Sequence, residues 1–141
     1  MKLKQISIFL ENKKGRMKKA INVLSQADIN IRALSIADTS EFGILRMLVS
    51  DPLRAKELLK EKSFTVNLTE VISIMTPNEA KYYALALKIL SDKEISIEYT
   101  YAFSIGEKSI IVLRCNNAKL AIEELKKHEM ELVKASDLYK I

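Results

Sequence analysis

The stretch Ile6-Ser7-Ile8-Phe9-Leu10-Glu11-Asn12-Lys13-Lys14-Gly15-Arg16-Met17, continued by Ala27-Asp28-Ile29-Asn30-Ile31, carries the pattern that decides the fold. From Lys4 to Leu10, Ile6, Ile8 and Leu10 alternate with Ser7 and Phe9, the period-2 signature of a β-strand. From Gly15 to Ala27 the period changes. Met17, Ala20, Ile21, Leu24 and Ala27 recur at helical spacing, with Lys18, Lys19, Asn22 and Gln26 outside. Working outward, Ile29 to Thr39 returns to strand, Ser40-Glu41-Phe42-Gly43 turns, and Ile44 to Val49 is a further strand. Asp51-Pro52 opens a second helix, Asp as cap and Pro in the first turn, which runs to Lys62. Phe64 to Leu68 closes the unit as a fourth strand. The order β-α-β-β-α-β is the ferredoxin-like split βαβ. Right-handed crossovers place both helices on one face of an antiparallel four-stranded sheet.

The same pattern occurs twice. Shifted by 66 positions, the chain aligns with itself without a gap. Ile6-Ser7-Ile8 falls on Ile72-Ser73-Ile74, Asn12 on Asn78, and Ala20, Leu24 and Ser25 on Ala86, Leu90 and Ser91. Asp28-Ile29-Asn30-Ile31 falls on Glu94-Ile95-Ser96-Ile97, and Ala55, Leu59 and Lys60 on Ala121, Leu125 and Lys126. Residues 1–69 and 70–135 therefore form two α+β units, antiparallel sheets packed on helices, with 136–141 as a C-terminal tail. No Gly/Pro/Ser-rich linker separates them, so the two copies are expected to fold as one body.

Strict alternation sets Phe9, Leu34 and Ile36 opposite the Ile6/Ile8 and Ile29/Ile31 set, and Ile44 and Leu48 opposite Leu45, Met47 and Val49. A sheet apolar on both faces needs a second cover, which predicts sheet packing within the chain or in a homodimer. The composition narrows the chemistry. The 141 residues hold 23 Lys+Arg against 18 Asp+Glu, one His and one Cys, so metal clusters, a Ser-His-Asp triad and internal disulfides have few parts. No cofactor or metal is called for. The lysines are interspersed with acids, as in Lys60-Glu61-Lys62, and read as solvated helix faces rather than a nucleic-acid groove. No apolar run is long enough to span a membrane, and the first residues lack a signal peptide's apolar core, so a cytoplasmic protein is expected.

A strand ending in Leu10-Glu11-Asn12, a helix opened by Lys13-Lys14-Gly15-Arg16, and a strand opened by Ala27-Asp28-Ile29-Asn30-Ile31 together resemble the ACT domain, a regulatory module of amino-acid metabolism. Leu34-Ser35-Ile36-Ala37-Asp38-Thr39 and Phe42-Gly43-Ile44-Leu45-Arg46 extend the likeness to stand-alone proteins made of two ACT units. The resemblance implies a non-catalytic sensor that binds a small molecule, a free amino acid, at an ACT–ACT interface and acts on a regulated enzyme. It also implies the site: Leu10, Glu11, Asn12, Gly15 and Arg16 around the helix start, with Asn30 and Ile31 from the next strand. In the second copy Asn78 and Ser96 stand at the places of Asn12 and Asn30. There Lys81 replaces the glycine and Tyr82 the arginine, so that copy is expected to contribute less.

The residues taken alone allow a plainer reading. Gly15 serves equally as the turn residue of a βα loop, Asn12 as a helix cap, Arg16 as a solvated cation and Asn30 as a solvated strand end. The functional argument is that a helix start offers unpaired N–H groups to a carboxylate, while an Asn amide offers a donor and an acceptor to a zwitterion. Two alternatives come from other classes. An acylphosphatase-like phosphate hydrolase would use Arg16 with Asn12 or Asn30, but three glycines in the whole chain leave no glycine-rich phosphate cradle. An RNA-binding module would need aromatics on the central strands, and Ile44 to Val49 has none; the stripe Tyr99, Tyr101 and Phe103 reads as core or interface.

Overall fold

The computed structural model describes residues 2–11, 13–38 and 41–139. Its elements are β1 (Leu3–Glu11), α1 (Arg16–Gln26), β2 (Ile31–Asp38), β3 (Phe42–Val49), α2 (Pro52–Glu61) and β4 (Thr65–Pro77). They continue with α3 (Ala80–Asp92), β5 (Ile97–Ile105), β6 (Lys108–Cys115), α4 (Ala118–Lys127), β7 (Glu131–Leu132) and α5 (Ala135–Tyr139). Two compact units result, one of residues 4–69 joined by Leu138, the other of residues 70–137 joined by Lys2 and Leu3. We call them the N-terminal and C-terminal units. The former orders its strands β2-β3-β1-β4 and the latter β5-β6-β4-β7, the same ferredoxin-like arrangement twice. β4 runs uninterrupted across the boundary.

Each sheet buries its helix-facing side, and the two cores correspond position by position at the 66-residue offset. Ile6, Ile8, Ala20, Leu24, Leu45 and Leu59 fill one. Ile72, Ile74, Ala86, Leu90, Ile111 and Leu125 fill the other. Cys115 takes the place of Val49 and behaves as a small apolar residue; burial pushes its thiol up to about 11. Helix starts repeat as well. Asp51 Oδ1 accepts from the Arg54 N–H at 3.2 Å and Asn117 Oδ1 from the Leu120 N–H at 3.1 Å. The stretch 136–141, read as a tail, holds part of the short helix α5, and its Leu138 is fully buried.

One face assignment changes. The β2–β3 register slips between Ile31 and Ala33, so Leu34 pairs with Met47 and Ile36 with Leu45. Met47 and Leu45 belong to the helix-side core, hence Leu34 and Ile36 face the helices and not the side of Phe9. The extra residue of a β-bulge reverses the alternation, which a strict period-2 count misses. β5 repeats the slip between Ile97 and Tyr99, which turns Tyr99, Tyr101 and Phe103 away from the helices, opposite Arg114, Val112 and Ile110. The sheet face away from the N-terminal helices is buried at Leu3, Gln5, Ala33 and Leu48, while Phe9 stays 45% exposed.

Candidate functional site

The loop after β1 is built by short backbone bonds: the Lys13 N–H donates to the Glu11 carbonyl at 2.7 Å and the Arg16 N–H to the Lys13 carbonyl at 3.3 Å. Gly15 then caps α1 at φ 86°, a left-handed conformation that disfavours side chains. A Cβ at this position would meet nothing within 4 Å, so the glycine answers to backbone conformation and not to close packing. Among the described residues no side chain caps this helix start. Asn12 lies outside the described residues.

A cleft of about 200 Å³ opens beside this helix start. Leu10, Met17, Ile36, Phe42 and Gly43 form its apolar lining, and Glu11, Lys13 and Arg16 bring charge. Lys13 Nζ lies 2.9 Å from Glu11 Oε2. The Lys13 hydrogen bond, then its charge, and more weakly the charge of Arg16 hold the Glu11 carboxyl below the usual range. The Arg16 guanidinium lies 4.4 Å over the ring of Phe64, which orients it without using its donors. One acid and two bases around an apolar floor can hold the two ends of a zwitterion and the body between them.

Of the residues expected at the site, Leu10, Glu11 and Arg16 line this cleft, and Gly15 sets the turn before Arg16. Asn30 and Ile31 do not. They line a separate depression with Ile21, Leu24, Ser25, Asp28 and Ile29, beyond the opposite end of α1. The Asn30 N–H donates to Ser50 Oγ at 3.0 Å, and its carbonyl accepts from the Ser50 N–H at 2.9 Å. The C-terminal unit builds the same clamp with the residue types exchanged: the Ser96 N–H donates to Asn116 Oδ1 at 3.0 Å. Lys13, Met17, Ile36, Phe42 and Gly43 are additions that the loop motif alone did not announce.

The C-terminal unit has a cleft at the repeat-equivalent place, larger at about 330 Å³. Its lining differs in kind. Thr76 stands for Leu10, Glu79 for Lys13, Tyr83 for Met17, Ala102 for Ile36 and Ser109 for Gly43. Asn78 belongs to it, its Oδ1 accepting from Ser109 Oγ at 2.8 Å. Thr100 Oγ1 donates to the Val112 carbonyl at 2.8 Å, which leaves the Tyr83 hydroxyl as the donor in its 2.5 Å bond to Thr100. The helix here begins at Ala80, with extended Glu79 as its cap. Lys81 is therefore an exposed helical residue and not a bulky occupant of a glycine turn, a correction to the reading from aligned positions. Ser96 lies outside this lining.

A family model described as an ACT domain pair matches residues 1–141, the entire chain. The chain belongs to the ACT domain pair family. Over its whole length it is 45% identical to protein BT0572 from Bacteroides thetaiotaomicron, whose crystal structure it matches at a TM-score of 0.96 and covers to 98%. The regulatory subunit of aspartate kinase from Thermus thermophilus shares the fold at 15% identity and a TM-score of 0.62, with 88% of this chain and 91% of that one covered. Clostridium acetobutylicum aspartate kinase matches at 11% identity and 0.56, over 89% of this chain and 32% of the enzyme. No curated protein sequence matches the chain. Among the described residues no helix of the ACT pair is long and apolar enough to cross a membrane, and no group of three potential metal ligands occurs.

Proposed function

We propose that this ACT domain pair is a non-catalytic sensor that binds a free amino acid in the N-terminal cleft and passes the bound state to a regulated enzyme. The observation that carries the reading is the joint presence of Glu11, Lys13 and Arg16 around an apolar floor at the start of α1. Glu11 accepts the ammonium. Lys13, Arg16 and the N–H groups of the helix start receive the carboxylate. The likeness to the regulatory subunit of an aspartate kinase supports a regulatory role on the same fold.

Asn30 and Ile31 enter this scheme from a second copy. β2 ends its sheet, and Ile36 near its C-terminal end lines the cleft. Antiparallel pairing of two β2 edges brings the start of one strand, with Asn30 and Ile31, beside the end of the other. A homodimer thus completes an interfacial site that one N-terminal unit does not assemble alone.

Isothermal titration of the full chain with each of the twenty amino acids tests the reading. At least one is expected to bind with one site per chain. Glu11→Gln and Arg16→Gln should each weaken it, because each removes a charged partner of one end of the zwitterion. Absence of binding by every amino acid, or binding unchanged in both variants, would overturn it.

A further inference from the structure

The two repeat-equivalent clefts differ at the charged positions, with Glu79 for Lys13, and at the apolar ones, with Tyr83 for Met17 and Ala102 for Ile36; resting on the reading just given, the apolar difference assigns specificity. We infer that the N-terminal cleft selects amino acids with apolar side chains, and that Met17 and Ile36 are the residues that read the side chain.

The first support is exposure. Met17 and Ile36 are large apolar side chains left 38% and 46% exposed at one small cleft, whereas the Phe42 ring packs on Phe9 with centroids 4.9 Å apart. Neither Met17 nor Ile36 is in the core cluster of the N-terminal unit, so their exposure is not forced by core packing. An apolar group seated on them removes apolar surface from water on both sides of the contact. The second support is the chain's own control. Where the backbone repeats, the C-terminal cleft has Tyr83 for Met17 and Ala102 for Ile36, and hydroxyls from Thr76 and Ser109 replace Leu10 and Gly43. That cleft keeps apolar Ala102, Phe103 and Ile111 but has neither a methionine nor an isoleucine at these two places, so the pair Met17 and Ile36 is not dictated by the architecture. The third support is placement. Glu11, Lys13 and Arg16 supply charge beside the loop, whereas Ile36 comes from β2 and Met17 from α1. A zwitterionic head held at the loop therefore points its side chain at apolar residues. A polar or charged side chain would lose water there and find no partner among them.

Calorimetric titration with leucine, methionine and phenylalanine against alanine, serine, aspartate and lysine is the test. Each buried methylene is worth about fourfold in affinity. Leucine or methionine is therefore expected to exceed alanine by at least about tenfold, and serine, aspartate and lysine to bind no better than alanine. Met17→Tyr and Ile36→Ala, which import the residues of the other cleft, should each bring the ratio of leucine to alanine affinity down toward one. Because both positions are partly exposed, the variants are expected to keep the wild-type melting temperature. Tightest binding by a polar or charged amino acid would overturn the inference and leave the sensor reading standing. An apolar preference that survives both variants would overturn the assigned residues. Failure of all amino acids to bind would remove the sensor reading itself, and the inference with it.

Discussion

Glu11 is exposed, yet its carboxyl titrates below the ordinary range because Lys13 donates to it and adds its charge, with Arg16 contributing more weakly. The sign of the consequence follows. A carboxylate whose folded pKa is depressed keeps its charge-dependent interactions above the unfolded value, about 4.3 for glutamate, and loses them as pH falls through the lower folded value. Amino-acid affinity governed by Glu11 should then be flat from about pH 5 to about pH 8 and fall only on the acid side of the free glutamate value. Titration calorimetry across that range, with circular dichroism to verify folding, checks it. An inflection near neutrality would point to another group as the ammonium acceptor. Glu11 and Arg16 were legible in the sequence because they flank a helix start. Ile36 was not, since it reaches the cleft only through the β2–β3 register, which sets it opposite Leu45, while Phe42 borders the cleft from its place opposite Glu11 in the β1–β3 register.

At the scale of elements, hydrophobic period located the strands and helices, and caps such as Asp51-Pro52 marked a start. What it missed were single-residue irregularities. The slip at Ile31/Ala33 has no residue signature, so Leu34 and Ile36 fell on the wrong face in a strict alternation. The start of α3 moved to Ala80 because Glu79 takes an extended conformation that lets the helix begin earlier than α1 does. Helix ends repeat by backbone geometry and not by residue type. Asp28, Ser63, Glu94 and Glu129 all sit at positive φ, between 55° and 67°, without a glycine among them. At each, the next residue's N–H closes the turn, as Ile95 does on the Leu90 carbonyl at 3.0 Å and Met130 on the Leu125 carbonyl at 3.0 Å. A left-handed residue with a Cβ costs about 1 kcal/mol against glycine. Glu94→Gly and Glu129→Gly should therefore each stabilise the chain by about 0.5–1 kcal/mol, within the usual yield of such replacements. Urea denaturation measures it, and a loss of stability in both would show that the Glu side chains hold these turns in some other way.

At the scale of the whole molecule, the proposed homodimer rests on the edge of the N-terminal sheet. Among the described residues β2 ends the strand order of its sheet, so one row of its backbone N–H and C=O groups lacks a neighbouring strand. Leu34 and Ile36 on this edge strand stay 42% and 46% exposed on the helix side. Natural edges are usually blunted by charge or a proline, and the run Leu34-Ser35-Ile36-Ala37 has neither. Two such edges related by a twofold axis pair antiparallel, with the middle of the strand near the axis, so Leu34 of one copy approaches Leu34 of the other. Leu34→Lys then sets two ammonium groups together at the axis and leaves the folded unit intact, because Leu34 is not part of its core cluster. Sedimentation equilibrium should find a dimer for the native chain and a monomer for the variant. Amino-acid affinity should fall in parallel, because in the proposed dimer Asn30 and Ile31 reach the cleft across that edge. A native chain that stays monomeric at every concentration, or a monomeric Leu34→Lys variant with undiminished affinity, would show that the cleft works without a partner.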